Sequence, residues 1–143
     1  AMLPFCGYNI GDYFAHWISM ASDTSRRLPK IYQVNWFKKD PDGHFLWPGY
    51  SDNMRVLKWI FERCDGEHKV QDTALGGLPY PEDIDTKGLN MSEAALGDLL
   101  TVQNFELSRE IDSMRNHLTA MGPRVPASLF RELAFMEKKC VSD

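Results

Sequence analysis

The residues of this chain best suited to chemistry lie between Val34 and Asn53, where aromatic side chains are concentrated just before an amide. The aromatic residues are Trp36, Phe37, Phe45, Trp47 and Tyr50. Aromatic rings on both sides of a slot hold a planar base by stacking, which is worth about 1–3 kcal/mol per base and differs little between bases. Discrimination then requires a hydrogen bond to the base edge, and Asn53 offers a donor and an acceptor side by side. The stretch therefore indicates a base-binding slot.

The same aromatic residues have a second interpretation, because large aromatic side chains often fill the hydrophobic core of a domain. Asn53 is likewise suited to cap the helix whose predicted start lies close to it. Spacing alone does not distinguish the wall of a slot from a core. Both interpretations therefore stay open on these residues.

Motifs of known catalytic chemistry are absent from the sequence. It contains no Gly-x-Ser-x-Gly, His-Glu-x-x-His, Gly-x-x-x-x-Gly-Lys or Gly-x-Gly-x-x-Gly pattern. Neighbouring carboxylates such as Glu82 and Asp83 fall where solvated faces are expected. The four histidines lack metal-ligand spacing and are interpreted as ordinary surface or core residues: His16, His44, His68 and His117. We therefore predict no catalytic residue and no metal ligand in the chain.

Composition and charge narrow the kind of partner. The chain has 143 residues, of which 43% are hydrophobic, and a formal net charge of −4, which is ordinary for one globular domain. Adjacent basic residues such as Arg26–Arg27 and Lys38–Lys39 fall far short of the basic stripe that binds phosphate backbones. No apolar run approaches the roughly 20 residues that span a bilayer. Cys6, Cys64 and Cys140 are widely spaced, so we expect reduced thiols and a cytoplasmic location. We expect neither nucleic acid nor a membrane as partner.

The elements that must position the aromatic residues are two short strands and a helix. Ile31–Phe37 and Phe45–Trp47 are rich in β-branched and aromatic residues and are predicted strands. A turn is predicted between them at Asp40–Gly43, because proline presets φ and glycine accepts positive φ. Ser51 is the predicted cap of a helix that closes at Gly66. One face of this helix is predicted to carry Met54, Leu57, Phe61 and Cys64.

The rest of the chain is predicted to be mostly helical. An amphipathic helix is expected over residues 9–22, and residues 67–90 read as an ordered loop with short strands. Further helices are predicted from Ser92, along residues 107–121 and after Pro126. The prediction is an α+β fold of short aromatic-rich strands and amphipathic helices, with a helical C-terminal third.

Five short motifs carry a family resemblance. They are PFCGYNIGDY at residues 4–13, AHW at 15–17, LPKI at 28–31, VNWF at 34–37 and FLWPGY at 45–50. In order and spacing they closely resemble the C-terminal portion of GTP-dependent phosphoenolpyruvate carboxykinases. The resemblance covers residues 1–143 as a C-terminal segment of the carboxykinase nucleotide-binding domain. It implies a guanine-pocket region at residues 1–90 and C-terminal helices at residues 91–143.

The resemblance implies the chemistry of a lyase acting in gluconeogenesis or anaplerosis. Oxaloacetate is decarboxylated to an enolate, which takes the γ-phosphoryl group of GTP to give phosphoenolpyruvate, GDP and CO₂. A Mn²⁺ ion and a Mg²⁺ ion position the phosphoryl group and neutralise its charge. The family's metal ligands, phosphate loop, oxaloacetate-binding arginines and mobile lid lie upstream of the matched segment. We therefore expect this chain to be a truncated piece that is inactive alone.

The guanine pocket is the part of the family's site that the resemblance carries onto this chain. Phe37 and Tyr50 correspond to aromatics that enclose the guanine ring, Phe45 to a third wall and Trp36 to its neighbour. The family usually has phenylalanine where this chain has Tyr50, whose hydroxyl needs a polar partner or water. The ring faces of the pocket are therefore expected to be retained.

Two further residues complete the implied pocket. Asn53 corresponds to the amide that addresses the base edge, and Gly49 is expected to allow close backbone approach. The implied cofactor-binding set is therefore Trp36, Phe37, Phe45, Gly49, Tyr50 and Asn53.

The expected partners are a guanine nucleotide and the missing N-terminal remainder of the enzyme. Because the family's C-terminal portion packs against that remainder, aromatic residues within 4–13 are expected to be exposed. We expect a monomeric whole enzyme and a chain that self-associates when alone. The alternative is a stand-alone helical interaction module whose aromatic cluster is only core and whose C-terminal helices dock a partner.

Overall fold

The fold is a set of helices with one small sheet, seen in a computed structural model that describes residues 2–67 and 69–142. Its elements are, in chain order, α1 (Ile10–Met20), α2 (Asn53–Asp65), β1 (Gln71–Thr73), β2 (Gly76–Leu78), α3 (Glu93–Leu100), α4 (Asn104–Ala120) and α5 (Ala127–Ser142). Single 3₁₀ turns occupy Leu3–Phe5, Tyr50–Asp52 and Pro81–Asp83. The predicted α+β class is confirmed, and the interpretation of His68 lies outside the described residues.

The chain divides into two compact units. The first comprises Ala1–Pro29 with Gln103–Asp143, and the second comprises Lys30–Val102. All six predicted pocket residues belong to the second unit. None of the helices in the described part of the chain is long and apolar enough to cross a lipid bilayer.

The first unit contains α1, α4 and α5, which begin and end close to the predicted positions. The Asn9 side chain caps α1 by accepting a hydrogen bond from the Gly11 N–H at 2.8 Å. Helices α4 and α5 pack together around Ile111, which is 1% exposed. The remaining buried apolar residues of this unit are Ile10, Leu107, Val125, Leu133 and Cys140. In the last helix the side chains of Leu133 and Cys140 are buried, and they lie on one face about two helical turns apart.

The second unit buries Trp47, Trp59, Ala74, Ile84 and Leu96. Strands β1 and β2 form an antiparallel hairpin in which Gln71 pairs with Leu78, as expected for a loop that contains short strands. Gly66 ends α2 in the left-handed conformation at φ 89°, which confirms the predicted stop.

The row of apolar residues predicted along one face of α2 is not the face that this helix buries. Met54, Leu57, Phe61 and Cys64 are exposed, whereas Trp59 is buried. Apolar residues occur on two faces of this helix, because Val56, Trp59 and Ile60 interleave with the predicted row. Periodicity therefore does not identify which face is buried.

The two predicted aromatic strands are also wrong. Residues 31–37 form no strand, and in residues 45–47 only Phe45 takes part in an isolated bridge, with Lys39. The Asn35 side chain accepts a hydrogen bond from the Phe37 N–H at 2.9 Å, which turns the backbone out of an extended path. The predicted turn is confirmed, since the Gly43 N–H donates to the Asp40 carbonyl oxygen at 3.0 Å and Gly43 has φ 86°.

Candidate base-binding site

Two lysine side chains, Lys30 and Lys38, fix the segment that leads into the aromatic residues, and we call them the lysine tethers. The Lys30 ammonium donates to the Cys64 carbonyl oxygen at 2.9 Å, at the end of α2. The Lys38 ammonium donates to the carbonyl oxygens of Asp98 at 2.6 Å and Thr101 at 2.8 Å, at the end of α3. A cation at a helix C-terminus satisfies free carbonyls and complements the helix dipole. The tethers therefore fix the backbone on both sides of residues 31–37.

Residues 36–47 form a turn, which we call the aromatic turn. It closes where the Leu46 N–H donates to the Lys38 carbonyl oxygen at 2.9 Å. The rings of Phe37 and Phe45 meet with their centroids 6.0 Å apart and their planes at 64°. Phe37 is 72% exposed and Phe45 is 56% exposed. Two aromatic rings thus contact each other at the surface, where a planar molecule can reach their faces.

A buried tryptophan connects the aromatic turn to the amide. The rings of Trp36 and Trp47 lie 5.9 Å apart, and Trp47 is 5% exposed. The Trp47 indole Nε1–H donates to Oδ1 of Asn53 at 2.8 Å. Asn53 is the first residue of α2, so the predicted position near a helix N-terminus is confirmed. Its side-chain oxygen accepts from an indole and not from the helix backbone.

The first turn of α2 is fixed by an arginine. Arg55 Nε donates to Oδ1 of Asp52 at 3.0 Å, and its Nη1 donates to the Asp85 carbonyl oxygen at 2.7 Å. Asp52 is the N-cap residue and makes no side-chain capping bond, so the predicted cap at Ser51 is wrong. A 3₁₀ turn over Tyr50–Asp52 leads into the helix in its place. These contacts fix the backbone that carries Asn53.

Gly49 and Tyr50 lie between the aromatic turn and α2. Gly49 has φ 138°, a backbone conformation that side-chain-bearing residues rarely adopt. A Cβ atom placed on it would meet no atom within 4 Å. The backbone conformation, and not crowding within the chain, therefore requires glycine here. Tyr50 is 91% exposed, and among the described residues no ring contact joins it to Phe37 or Phe45.

Burial within this chain differs among the aromatic residues. Phe37, Phe45 and Tyr50 are exposed, whereas Trp47 is buried. Ring contacts pair Phe37 with Phe45, and Trp36 with Trp47. Two predicted residues, Phe37 and Phe45, contact each other directly. Two others, Trp36 and Asn53, are each in contact with Trp47.

Sequence reasoning did not assign a site role to Trp47 or Lys38. Trp47 is visible as one of the clustered aromatics, but nothing in the sequence marks its hydrogen bond to Asn53. Lys38 contacts a carbonyl 60 positions along the chain, so no local pattern reveals it.

Three polar side chains lie close together within the aromatic turn. Asp40, Asp42 and His44 each bring one possible metal-ligand atom within 4.8 Å of the others. Oδ1 of Asp40 already accepts the His44 backbone N–H at 2.8 Å. This bond, more than any other contact, holds the pKa of Asp40 below its ordinary value of 3.8. The Asp40 carboxylate therefore stabilises the turn that carries Phe45.

Sequence comparison identifies the family of the chain. A family model described as the phosphoenolpyruvate carboxykinase C-terminal P-loop domain matches residues 1–139. The chain belongs to the GTP-dependent phosphoenolpyruvate carboxykinase family. This confirms the resemblance found in the sequence motifs.

Individual carboxykinases match along nearly the whole chain. The phosphoenolpyruvate carboxykinase [GTP] of Chlamydia caviae is 48% identical over 140 residues, which are 97% of this chain. Those of Treponema pallidum, strain Nichols, and Neocallimastix frontalis are 48% and 45% identical over 141 residues, again 97% of this chain. In all three cases the match spans 23% of the relative's length. The carboxykinase relatives are thus far longer than this chain.

Proposed function

We propose that this chain supplies the guanine-binding part of a cytoplasmic GTP-dependent phosphoenolpyruvate carboxykinase. In that enzyme oxaloacetate and GTP are converted to phosphoenolpyruvate, GDP and CO₂. The observation that carries the proposal is the exposed ring pair of Phe37 and Phe45. The same turn ends at Trp47, whose buried indole donates a hydrogen bond to the Asn53 amide. The proposal assigns the base to the aromatic turn, and it assigns the phosphoryl chemistry to the rest of the enzyme.

Burial supports this assignment over the interaction-module alternative. Aromatic side chains whose only role is packing are expected to lose most of their exposed surface on folding. Phe37, Phe45 and Tyr50 keep most of theirs. Phe37 and Phe45 do so within the aromatic turn, which the Lys38 tether and the bond from the His44 N–H to Asp40 hold in place. A fixed aromatic surface is what base stacking requires, because ordering costs are already met before binding.

The catalytic groups and both metal ions belong, in this proposal, to the portion of the relatives that the chain does not span. The sequence contains no phosphate-loop motif, and we assign none of its residues to Mn²⁺ or Mg²⁺. The remainder of a carboxykinase polypeptide is therefore the chain's proposed protein partner. Exposed apolar residues near the start of the chain, among them Phe5 and Tyr8, are the proposed contact surface.

The contact surface predicts association of the isolated chain. With Phe5 and Tyr8 uncovered, we expect concentration-dependent self-association in sedimentation velocity, because exposed apolar area favours burial against another copy. Replacing both residues by serine should lower the association constant. A strictly monomeric parent chain at millimolar concentration would contradict this assignment.

Nucleotide binding tests the proposed function directly. GTP is titrated into the 143-residue chain and binding is followed by NMR. Phe45→Ala removes a stacking face and should weaken GTP binding roughly five- to a hundredfold, the equivalent of about 1–3 kcal/mol. The matched control is Phe105→Ala, because Phe105 is also exposed and also has a cation beside its ring, Arg109 in place of Lys39. The control should change affinity less than twofold.

Two results would contradict the proposal. One is a parent chain that binds no guanine nucleotide at millimolar concentration. The other is a Phe45→Ala variant that folds and binds GTP as tightly as the parent chain.

A further inference from the structure

The orientation of the Asn53 amide is determined by its partner. An indole N–H is a donor with no acceptor capacity, so only the amide oxygen of Asn53 can face Trp47. The 2.8 Å contact between Nε1 and Oδ1 is that arrangement. Rotating the amide by half a turn would place its NH₂ group against the indole N–H and leave a donor of a buried side chain unpaired. The amide nitrogen is therefore held on the side away from Trp47.

Both members of this pair are themselves fixed. Trp47 is buried and packs against the ring of Trp36. Asn53 stands in the helical turn that Arg55 fastens through Asp52 and Asp85. Neither Trp47 nor Asn53 is therefore free to move away if the amide were turned the other way.

The amide nitrogen is the group left for a ligand. Among residues 2–67 and 69–142, Nδ2 of Asn53 has no hydrogen-bond partner, and the residue is only half-buried. An NH₂ group donates and does not accept, so it complements a carbonyl oxygen on a base edge. The sequence suggested a donor and an acceptor side by side, but the structure uses the acceptor internally.

We propose that Trp47 is a positioning residue for base selection: by holding Oδ1 of Asn53, it presents the amide to the base as a donor only. This inference rests on the proposed function, since it concerns the base that occupies the same site. Guanine and hypoxanthine carry an oxygen at the six-position and accept from the amide. Adenine carries an amino group there, so a donor would face a donor and both would stay unpaired.

The test compares GTP, ITP and ATP binding to the 143-residue chain and its variants by calorimetry. In the parent chain GTP and ITP should bind with similar dissociation constants and ATP roughly five- to a hundredfold more weakly. Trp47→Phe keeps an aromatic ring but removes the N–H, so the amide is free to rotate. The ratio of the ATP to the GTP dissociation constant should then fall at least fivefold.

The matched control is Trp59→Phe. Trp59 is also 5% exposed, lies in the same unit and packs edge-on against Tyr32, so its replacement removes the same atoms from a similar site. The control should leave the nucleotide ratio unchanged within twofold. An equal weakening of all three nucleotides by Trp47→Phe would mean that Trp47 is merely structural, and it would overturn the inference.

A double-mutant cycle tests whether Trp47 acts through the amide. Asn53→Ala should collapse the ratio by itself, and adding Trp47→Phe to it should change the ratio less than twofold. If Asn53→Ala collapses the ratio but Trp47→Phe alone does not, the inference fails and the proposed function stands. If the parent chain binds no nucleotide, the proposed function fails and the inference fails with it.

Asn53→Asp gives an answer that does not depend on the folding of Trp47→Phe. One carboxylate oxygen keeps the indole bond, and the other replaces the donor by an acceptor. Preference should therefore shift toward ATP, whose amino group donates. The indole N–H signal of Trp47, one of four in the chain, should stay hydrogen-bonded in this variant and lose that signature in Asn53→Ala. An Asn53→Asp variant that retains the parent's preference for GTP would overturn the inference.

Discussion

A single methyl group at Gly11 should destabilise the first unit although it improves local helix propensity. Gly11 is the second residue of α1, where alanine would be favoured over glycine by up to about 1 kcal/mol. The added Cβ would lie 2.4 Å from the Arg124 carbonyl oxygen and 2.8 Å from the Val125 backbone nitrogen. Both are backbone atoms, so no side-chain rotation relieves the overlap. Overpacking of this kind typically costs about 1–3 kcal/mol, and we expect a net loss of about 1–2 kcal/mol for Gly11→Ala.

Gly97→Ala in α3 is the matched control with the opposite sign. A Cβ at Gly97 would meet no atom within 4 Å, so only the propensity gain of about 0.5–1 kcal/mol remains. Native-state hydrogen exchange measures each effect within its own unit, with the amides of Ile111 and Leu96 as reporters. A Gly11→Ala variant as stable as the parent chain would refute the close approach of α1 to residues 124 and 125.

Three further outcomes follow from the site. Lys38→Met removes the cation at the end of α3 and should destabilise the second unit by roughly 1–2 kcal/mol in urea unfolding. Lys38→Arg should retain most of the stability. Equal losses in both variants would contradict the tether. Because the pKa of Asp40 is lowered, its contribution to stability is present above pH 3.8 and is lost as the pH falls through the pKa of Asp40 in the folded chain. Acid should therefore shift the His44 amide signal in the parent chain but not in Asp40→Asn. The chain alone should convert no oxaloacetate in the presence of GTP, Mn²⁺ and Mg²⁺, because we assign the catalytic groups to the portion of the relatives that the chain does not span. Turnover above a buffer blank would refute that assignment.

The helix ends marked by Asn9, Gly66 and Ser92 were predictable because their signals are local, unlike the start of α2. Asn9 and Ser92 each accept a backbone N–H two or three residues ahead, which depends on little beyond their own turn. Gly66 ends α2 because it adopts positive φ without strain. Such features are read correctly from a few consecutive residues.

The aromatic turn was not predictable in the same way. Residues 31–37 have the composition of a strand, but Asn35 turns the backbone and Lys38 fastens it to a helix end 60 positions away. The carbonyl groups that receive the Lys38 ammonium exist as free acceptors only once α3 has formed. The family resemblance suggested the proposed pocket residues, whereas the hydrogen bond that occupies the Asn53 oxygen is visible only in the structure.

The irregular path of residues 31–37 has a consequence for how the protein avoids aggregation. This window contains no charged residue, proline or glycine, and its β-branched and aromatic content is typical of segments that stack into cross-β fibrils. As an edge strand it would offer a row of unpaired backbone groups beside the exposed side chains of Ile31 and Val34. The bond from the Phe37 N–H to Asn35 and the tethers at both ends keep this backbone from presenting such an edge. The contacts that order the aromatic surface thus also keep a fibril-prone segment from templating its own assembly.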